Sequence, residues 1–317
     1  MQAVVFNRYG GNEVIEVKDI LLPRPGPREV LVKVHAASVN PLDWKVRSGM
    51  ARIFTGGRFP KVLGSECAGE IAEAGDRSTR FRKGDPVVVV PGIRRLGAFA
   101  EYVCASEHTV YPLTGGLSFE QAACIPIAGL TALQGLRTHG RLAALQKALI
   151  IGASGGVGHI AVQIAKVLGA HVTAVCSGRN LDFVRGLGAD RVVDYTRENV
   201  TKSGERFDLV FDTVSANSFM RCVKILTANG RYVNTLPNLT LVSQFITSIL
   251  PGKKARSMWF RADASDAAWL MDQMAKGAVR IAIDRVYPLD QVRDALAYSE
   301  SGRVRGKILL QVLPPSA

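Results

Sequence analysis

The chain has 317 residues, 47% of them hydrophobic and 21% charged, which is typical of a soluble globular protein long enough for two domains. Its 40 lysines and arginines against 27 acidic residues give a formal net charge of +13, but no nucleic-acid motif accompanies them. We therefore expect a generally basic surface and no specific nucleic-acid partner. No apolar run approaches the roughly 18 residues of a membrane span. The chain also starts without a signal peptide's apolar core, and its five cysteines form no C-x-x-C pair, so we expect a cytoplasmic protein with buried free thiols.

The first elements along the chain are short strands separated by glycine and proline. They are predicted over Gln2–Phe6, Val30–Ala36, Gly69–Ala74, Asp85–Val90 and Phe99–Cys104. This spacing is typical of an all-β partial barrel.

A buried strand, a glycine-rich turn and a helix are predicted over Lys147–Lys166. An apolar run ends at Ile151, and apolar residues then recur at helical spacing from Val157 to Leu168. The glycines between them let the backbone turn sharply and present N–H groups beside the helix N-terminus, which makes an anion site suited to a dinucleotide pyrophosphate. We predict cofactor binding by Ser154, Gly155, Gly156, Val157 and Gly158.

Two other interpretations of this turn are open. Gly152–Gly156 also matches the nucleophile elbow G-x-S-x-G of hydrolases, which needs a remote histidine downstream of its serine. Only His159 and His171 follow Ser154, in the next helix and the next strand, and this disfavours a hydrolase. The second alternative is a glycine turn that serves strand–helix packing alone.

The residues after the second strand of this region indicate which dinucleotide binds. The strand Ala170–Cys176 ends at Ser177, close to the spacing at which an acidic residue would bind the ribose of NAD. A serine followed by Arg179 and Asn180 suits a 2′-phosphate instead, which predicts NADPH. Tyr195, after the third strand, is a further candidate for the adenosine phosphate, with a plain surface tyrosine as the alternative.

Strands and helices continue to alternate. Further strands are predicted over Arg191–Asp194, Phe207–Asp212, Gly230–Thr235 and Arg256–Phe260, and a helix over Ser218–Ala228. This alternation predicts a parallel doubly wound sheet with the cofactor at the carboxyl ends of its strands.

An apolar helix with a basic end is predicted over Leu239–Leu250, and we expect it to line a pocket mouth, with a membrane surface or another subunit as alternatives. The last strands, Ile281–Leu289 and Gly306–Val312, should return to the first domain.

The chain resembles the medium-chain dehydrogenase/reductase superfamily, in particular its zinc-independent NADPH:quinone oxidoreductase branch. The segments that carry the resemblance are Ala37–Lys45, Leu63–Gly69, Phe81–Asp85, Ala122–Leu136, Gly152–Gly158 and Arg305–Leu309. The resemblance implies an α/β fold in which a Rossmann doubly wound parallel sheet is inserted into a GroES-like partial β-barrel domain. The barrel would comprise residues 1–123 plus 265–317, and the NADPH-binding domain residues 124–264.

The departures from the zinc-dependent relatives concern the metal ligands. Those relatives place a cysteine near Asn40 and a histidine where Ser65 stands, and a catalytic zinc needs about three nitrogen, sulfur or oxygen ligands. The chain offers no convergent set, so we predict no metal.

The resemblance also implies roles for individual residues. Asn40 should lie beside the nicotinamide and Thr131 against its ribose or amide, with backbone near Leu236 flanking the carboxamide and Lys307 approaching from the last strand. Asp43 and Lys45 should face the cleft as catalytic residues together with Asn40, and Lys45 would donate to the developing oxyanion. The alternatives are a solvated Lys45 and an Asn40 that only braces its loop.

Hydride transfer to quinones or α,β-unsaturated carbonyls is the predicted activity, because these acceptors need no Lewis acid. One alternative is a non-catalytic NADPH-binding protein that interacts with RNA or a membrane surface, and another is an enoyl-thioester reductase. Dimers are usual among the relatives, so a homodimer is expected.

Overall fold

A computed structural model describes residues 1–236 and 240–313. Its strands are β1 Gln2–Phe6, β2 Ile15–Asp19, β3 Glu29–Val39, β4 Lys61–Val62, β5 Cys67–Ala74, β6 Pro86–Val89, β7 Tyr102–Ser106, β8 Val110–Pro112, β9 Lys147–Ile151, β10 His171–Cys176, β11 Arg191–Asp194, β12 Phe207–Asp212, β13 Leu226–Asn234, β14 Lys254–Ser257, β15 Ile283–Pro288 and β16 Lys307–Gln311. Its α-helices are α1 Pro41–Arg47, α2 Arg52–Thr55, α3 Phe119–Ala123, α4 Pro126–Gln134, α5 Gly156–Val167, α6 Leu181–Gly186, α7 Phe219–Cys222, α8 Thr240–Ile249, α9 Ala264–Ala275 and α10 Val292–Glu300.

The chain divides into two compact units. The first contains Met1–Ile127, Ala262–Ala275 and the chain from Ile283 onward, and the second contains Ala128–Arg261 and Lys276–Ala282. The domain boundaries expected from the sequence, after residues 123 and 264, remain a prediction.

The first unit is built around β3, a strand of 11 residues that pairs with β5, β7 and β16. Most of its side chains are buried, because strands cover it on both edges and its faces meet one apolar core that includes Val32, Val34 and Leu310. The seven-stranded sheet is mostly antiparallel, with the order β15-β16-β3-β5-β6-β8 and β7 on β3. The last strands therefore return to the first unit, as the sequence predicts.

The second unit holds a six-stranded parallel sheet with the order β11-β10-β9-β12-β13-β14. Numbered along the unit, this order is 3-2-1-4-5-6, the doubly wound arrangement. Successive strands are added in one direction from β9 to β11 and in the opposite direction from β12 to β14, so the strand order switches between β9 and β12. The central strands β9, β10 and β12 are largely apolar and buried, as expected for strands covered by helices on both faces. Helix α5 buries Ile160, Ala161 and Ile164 against the sheet.

Several predicted elements differ in extent from the observed ones, among them one helix and one strand of the second unit. The helix expected over Ser218–Ala228 ends at Cys222, passes through a short 3₁₀ turn at Val223–Ile225, and gives way to β13 at Leu226. Ile225 and Leu226 are buried in the sheet core, so tertiary packing overrides the local helical pattern. Strand β14 lies at 254–257 and ends before Trp259 and Phe260, which are exposed.

Candidate functional site

A buried polar cluster lies in the first unit where β3 ends and β16 begins. It contains Asn40, Glu66 and Lys307, which are 4%, 0% and 2% exposed. The Lys307 ammonium donates to Asn40 Oδ1 at 2.7 Å and to Glu66 Oε1 at 3.0 Å. Asn40 Nδ2 donates to Glu66 Oε1 at 2.6 Å and, more weakly, to Ser65 Oγ at 3.4 Å. Both ends of the Asn40 amide are thereby held, and its orientation is fixed.

Glu66 is the hub of this cluster. Beyond Lys307 and Asn40, its carboxylate accepts from Ser38 Oγ at 2.9 Å and from the N–H of Ile127 at 2.6 Å. A fully buried carboxylate is costly unless it is paired and hydrogen-bonded, and here both conditions hold.

Asn40 is the residue between β3 and α1, in extended conformation at the helix N-terminus. Its own N–H donates to Asp43 Oδ2 at 2.7 Å, so a residue in the first turn reaches back to the cap. Asp43 is fully buried, and its Oδ1 atom has no hydrogen-bond partner among the described residues. Burial raises the pKa of Asp43 to about 7, although the Asn40 N–H favours the charged form.

Lys45 does not join the cluster. It is half-buried on α1, with its ammonium 5.4 Å from the centroid of the Trp44 ring. Burial lowers the pKa of Lys45. Of the three residues predicted to be catalytic, the structure brings Asn40 and Asp43 together and leaves Lys45 apart.

The glycine-rich turn of the second unit lies at the carboxyl end of β9, beside the switch in strand order. Gly152 has a φ of +79°, and α5 begins at Gly156 with Gly155 as its N-cap. A Cβ atom on Gly158 would lie 2.1 Å from the carbonyl oxygen of Gly152, so only glycine allows this approach of helix and turn. The N–H groups of the first helical turn have no partner within the helix, and glycine offers no side chain to cap them. The turn thus fits a pyrophosphate.

Hydrogen bonds join three predicted cofactor-binding residues at the ends of β9 and β10. Asn180 is buried, and its Nδ2 donates to Ser154 Oγ at 2.9 Å and to Ser177 Oγ at 3.3 Å. Arg179 is exposed beside them. The N–H of Tyr195 donates to the carbonyl of Cys176 at 3.1 Å, which places this exposed tyrosine next to Ser177.

The other predicted cofactor residues occupy separate elements. Thr131 is buried on α4, and Leu236 follows β13 with its N–H donating to Asn234 Oδ1 at 3.0 Å. Asn234 also donates to the Tyr232 hydroxyl at 3.3 Å. Asp212 accepts from that hydroxyl and from three N–H groups of the loop after β12. This network fixes the backbone after both strands.

Sequence reasoning missed two residues of these sites. The first is Glu66, and the signal that could have found it is an acidic residue directly after Ser65 in the mostly apolar segment Leu63–Gly69, since such a context indicates burial. Asp194 ends β11, and a Cβ atom on Gly178 would lie 2.6 Å from its Oδ2 atom. Its carboxylate is held by the Thr196 N–H and hydroxyl, and these hydrogen bonds lower the pKa of Asp194.

Residues 1–236 and 240–313, which the structure describes, were compared with the requirements of a metal site and of a membrane-spanning helix. They contain no group of three or more histidine, cysteine or acidic side chains placed to hold a metal ion. None of their helices is both long and apolar enough to cross a bilayer.

Comparison with known proteins identifies the family. A family model described as alcohol dehydrogenase GroES-like domain matches residues 26–115, and one described as zinc-binding dehydrogenase matches residues 187–310. The chloroplast envelope quinone oxidoreductase homolog of Arabidopsis thaliana is 35% identical, with 98% of each chain covered. The mitochondrial NAD(P)H oxidoreductase of Mus musculus is 33% identical over 99% of this chain and 89% of its own length.

A solved structure agrees with these sequence matches. The quinone oxidoreductase from Coxiella burnetii superimposes with a TM-score of 0.92 at 31% identity, covering 99% of both chains. The predicted combination of a GroES-like domain and a parallel Rossmann-type sheet is thereby confirmed. The chain belongs to the medium-chain dehydrogenase/reductase superfamily, and it is an NAD(P)H oxidoreductase related to the quinone oxidoreductases.

Proposed function

We propose that this protein transfers a hydride from NADPH to quinones or α,β-unsaturated carbonyls without a metal ion. The absence of a metal ion from the proposed reaction is supported by the position of the Lys307 ammonium, which is hydrogen-bonded to Asn40 and Glu66. Asn40 and Ser65 stand where zinc-dependent relatives place ligands, and a buried ammonium bonded to Asn40 would repel a divalent cation. The residues present therefore do not fit a zinc ion.

NADPH fits the residues of the second unit. The glycine turn with Ser154 and Val157 would hold the pyrophosphate, and Ser177, Arg179, Asn180 and Tyr195 the 2′-phosphate, with Thr131 and the Leu236 backbone toward the nicotinamide. When bound, NADPH supplies the hydride. The protein has to hold the acceptor and exclude competing reactions.

Except for Lys45, the residues of the first unit would orient rather than react. Lys307 and Glu66 fix the Asn40 amide from both ends, so Asn40 is the proposed contact to the nicotinamide. Asp43 is a positioning residue, because it is fully buried and holds the backbone of Asn40. Lys45 is the proposed donor to the developing oxyanion, since partial burial makes its proton easier to release.

The activity test is NADPH consumption by the purified protein with 9,10-phenanthrenequinone and an alkyl vinyl ketone, in the presence of a strong zinc chelator. We expect turnover that the chelator does not reduce, and loss of that turnover on chelation would contradict the metal-free proposal. Cofactor binding without turnover across the acceptor panel would favour a non-catalytic binding protein. Turnover confined to thioesters would favour an enoyl-thioester reductase.

The preference for NADPH has its own test. Arg179→Ala should raise the KM for NADPH about tenfold or more and leave that for NADH unchanged, because only NADPH carries the 2′-phosphate. Arg185→Ala, an exposed arginine on α6 paired with Asp182, is the matched control. Equal effects of Arg179→Ala on both cofactors would contradict the assignment.

A cytoplasmic location and a homodimer complete the proposal. Names of relatives refer to chloroplast and mitochondrion, so fractionation of the native cells is the relevant test of location. Sedimentation velocity of the purified protein tests the dimer.

A further inference from the structure

Helix α8 presents its apolar side chains to solvent. Phe245 and Ile249 are 71% and 74% exposed, and further apolar residues beside them on the helix or just after it are also exposed: Leu241, Val242, Ile246 and Leu250. Adjacent pairs recur every four residues, so they form one stripe along the helix. A contiguous exposed patch of this kind on a folded protein marks an interaction surface.

Three polar side chains of the same helix, Thr240, Gln244 and Thr247, face the protein. Thr247 is buried, and its hydroxyl accepts the N–H of Ala255 at 3.0 Å. Gln244 Oε1 accepts the N–H of Ser257 at 2.6 Å, and Thr240 Oγ1 accepts from Asn234 Nδ2 at 3.3 Å. These bonds to β14 and to the end of β13 fix the rotation of the helix, so the apolar stripe cannot turn inward.

Aromatic and basic residues lie at the two ends of this stripe. Helix α8 packs against β14 in the opposite chain direction, because Thr247 hydrogen-bonds Ala255 while the earlier Gln244 hydrogen-bonds the later Ser257. The exposed Trp259 and Phe260, which follow β14, therefore lie toward the first turn of α8. At the other end, Lys254 Nζ donates to the carbonyl of Thr247 at 2.7 Å. Lys253 Nζ donates to the carbonyl of Val223 at 2.6 Å, and this contact brings the exposed Lys224 close.

The chain segment that contains α8 and β14 carries charge of one sign. Residues 213–262 contain seven basic side chains and no acidic one: Arg221, Lys224, Arg231, Lys253, Lys254, Arg256 and Arg261. Two of them, Arg231 and Arg256, lie near Arg141, and burial together with this like charge lowers the pKa of both guanidinium groups. The occupant of this surface should therefore be anionic.

We propose that the α8 stripe, defined as residues 241, 242, 245, 246, 249 and 250, docks on the surface of an anionic lipid bilayer. An apolar helix face bordered by tryptophan, phenylalanine and lysine matches a helix that lies in the membrane interface. Basic residues near the surface add attraction to anionic headgroups. This favours the membrane alternative over the pocket-mouth interpretation of the sequence.

A second copy of the chain is a poorer occupant. In a two-fold interface the α8 stripe of one copy packs on the α8 stripe of the other. The basic residues of the two copies would then face one another, and residues 213–262 contain no acidic side chain to neutralise them. RNA would use the charges and leave the aliphatic stripe exposed to water.

The test is co-sedimentation of the full chain with phosphatidylcholine vesicles that contain about 30% phosphatidylserine, against vesicles of phosphatidylcholine alone. We expect binding to the anionic vesicles only, release at high salt, and a blue shift of tryptophan emission on binding. The double variant Phe245→Ser with Ile249→Ser should lower the partition coefficient at least roughly tenfold, because two large side chains no longer insert.

The matched control is Leu21→Ser with Leu145→Ser, which removes two even more exposed apolar side chains elsewhere (91% and 80% exposed) and should bind like the wild type. Circular dichroism verifies that both variants are folded. Equal binding of the Phe245/Ile249 variant and the wild type, equal binding to neutral vesicles, or no vesicle binding would each overturn the proposal. If no vesicle binding is seen, sedimentation velocity without lipid shows what covers the stripe instead. A wild-type dimer that dissociates in the Phe245→Ser, Ile249→Ser double variant would assign the stripe to a second copy of the chain.

Discussion

Glu66 and Lys307 form an ion pair that is 0% and 2% exposed, with the two charged atoms 3.0 Å apart. A buried pair of this kind gains little net stability over an apolar pair, because both ions lose their hydration. Removing one partner is different, since it leaves the other charge buried alone.

Lys307→Met should therefore destabilise the protein by about 3–5 kcal/mol, and Glu66→Gln by a similar amount. The double variant should cost less than the sum of the two, because neither charge then remains. Urea unfolding of all four proteins measures this coupling. Strict additivity would mean that the two side chains do not depend on each other.

Asp43 makes a pH-dependent contribution of unusual sign. Its folded pKa of about 7 lies above the unfolded value of about 3.9, so the folded state binds more protons between these pH values. The contribution of Asp43 to stability therefore falls as pH rises from about 4 to about 7 and then levels off.

Asp43→Asn keeps an oxygen for the Asn40 N–H and cannot ionise. Relative to the wild type, this variant should gain about 2–3 kcal/mol of unfolding free energy between pH 5 and pH 8. Chemical denaturation at both pH values gives the difference. A constant offset at both pH values would show that Asp43 does not titrate in this range.

The sequence offers candidate site residues where chemistry dictates residue type, and the roles of these residues stay predictions. Asn40, Ser177 and Arg179 are recognisable because their local patterns carry the signal. Glu66 was missed because its partner Lys307 lies 241 residues away, and the separation of two charges in sequence says nothing about their distance in space.

Among the elements, the β9–turn–α5 unit tolerates substitution very differently at two neighbouring glycines. Gly158→Ala would set a Cβ atom 2.1 Å from the Gly152 carbonyl oxygen, whereas a Cβ atom on Gly155 would meet that oxygen at 3.4 Å, an ordinary contact.

We expect Gly158→Ala to lower stability by about 1–3 kcal/mol and to weaken NADPH binding, because helix and turn must move apart. Gly155→Ala is the matched control and should change stability little, since the N-cap residue has an ordinary φ of −81°. Thermal unfolding and quenching of NADPH fluorescence measure the two effects. Similar behaviour of both variants would contradict a steric role specific to Gly158.

Periodicity predicted the parallel strands and α5, since buried strands and amphipathic helices leave strong patterns. It failed at the Ser218–Ala228 helix, because Ile225 and Leu226 suit a helix locally and are recruited into the sheet. It also could not show that α8 turns its polar side toward β14, since periodicity gives a stripe without saying which side is buried.

For the whole molecule, the order of strands and helices along the chain predicted the fold class. The net charge of +13 carried no information about the fold. The five cysteines are all free, four of them buried and Cys104 partly so. Burial raises the pKa of every one of these thiols, to about 11 for Cys104.

The native protein should therefore show no rapid reaction with a disulfide reagent at pH 8, because the thiolate is the reacting form and little of it is present. Denaturation should release five thiols, and Cys104→Ser should remove the fastest part of the slow native phase. The release of 2-nitro-5-thiobenzoate measures both quantities. A rapid native phase that persists in Cys104→Ser would show that a buried thiol is accessible.

The strand order has a consequence for the newly made chain. Lys307 follows Glu66 by 241 residues, so at synthesis rates of about 5–20 residues per second the carboxylate waits roughly 10–50 s for its cation. Until β16 leaves the ribosome, the centre of the first unit lacks both a strand and a counter-charge. Every strand of the parallel sheet is already synthesised by then. The unit translated first is therefore expected to be the last to fold.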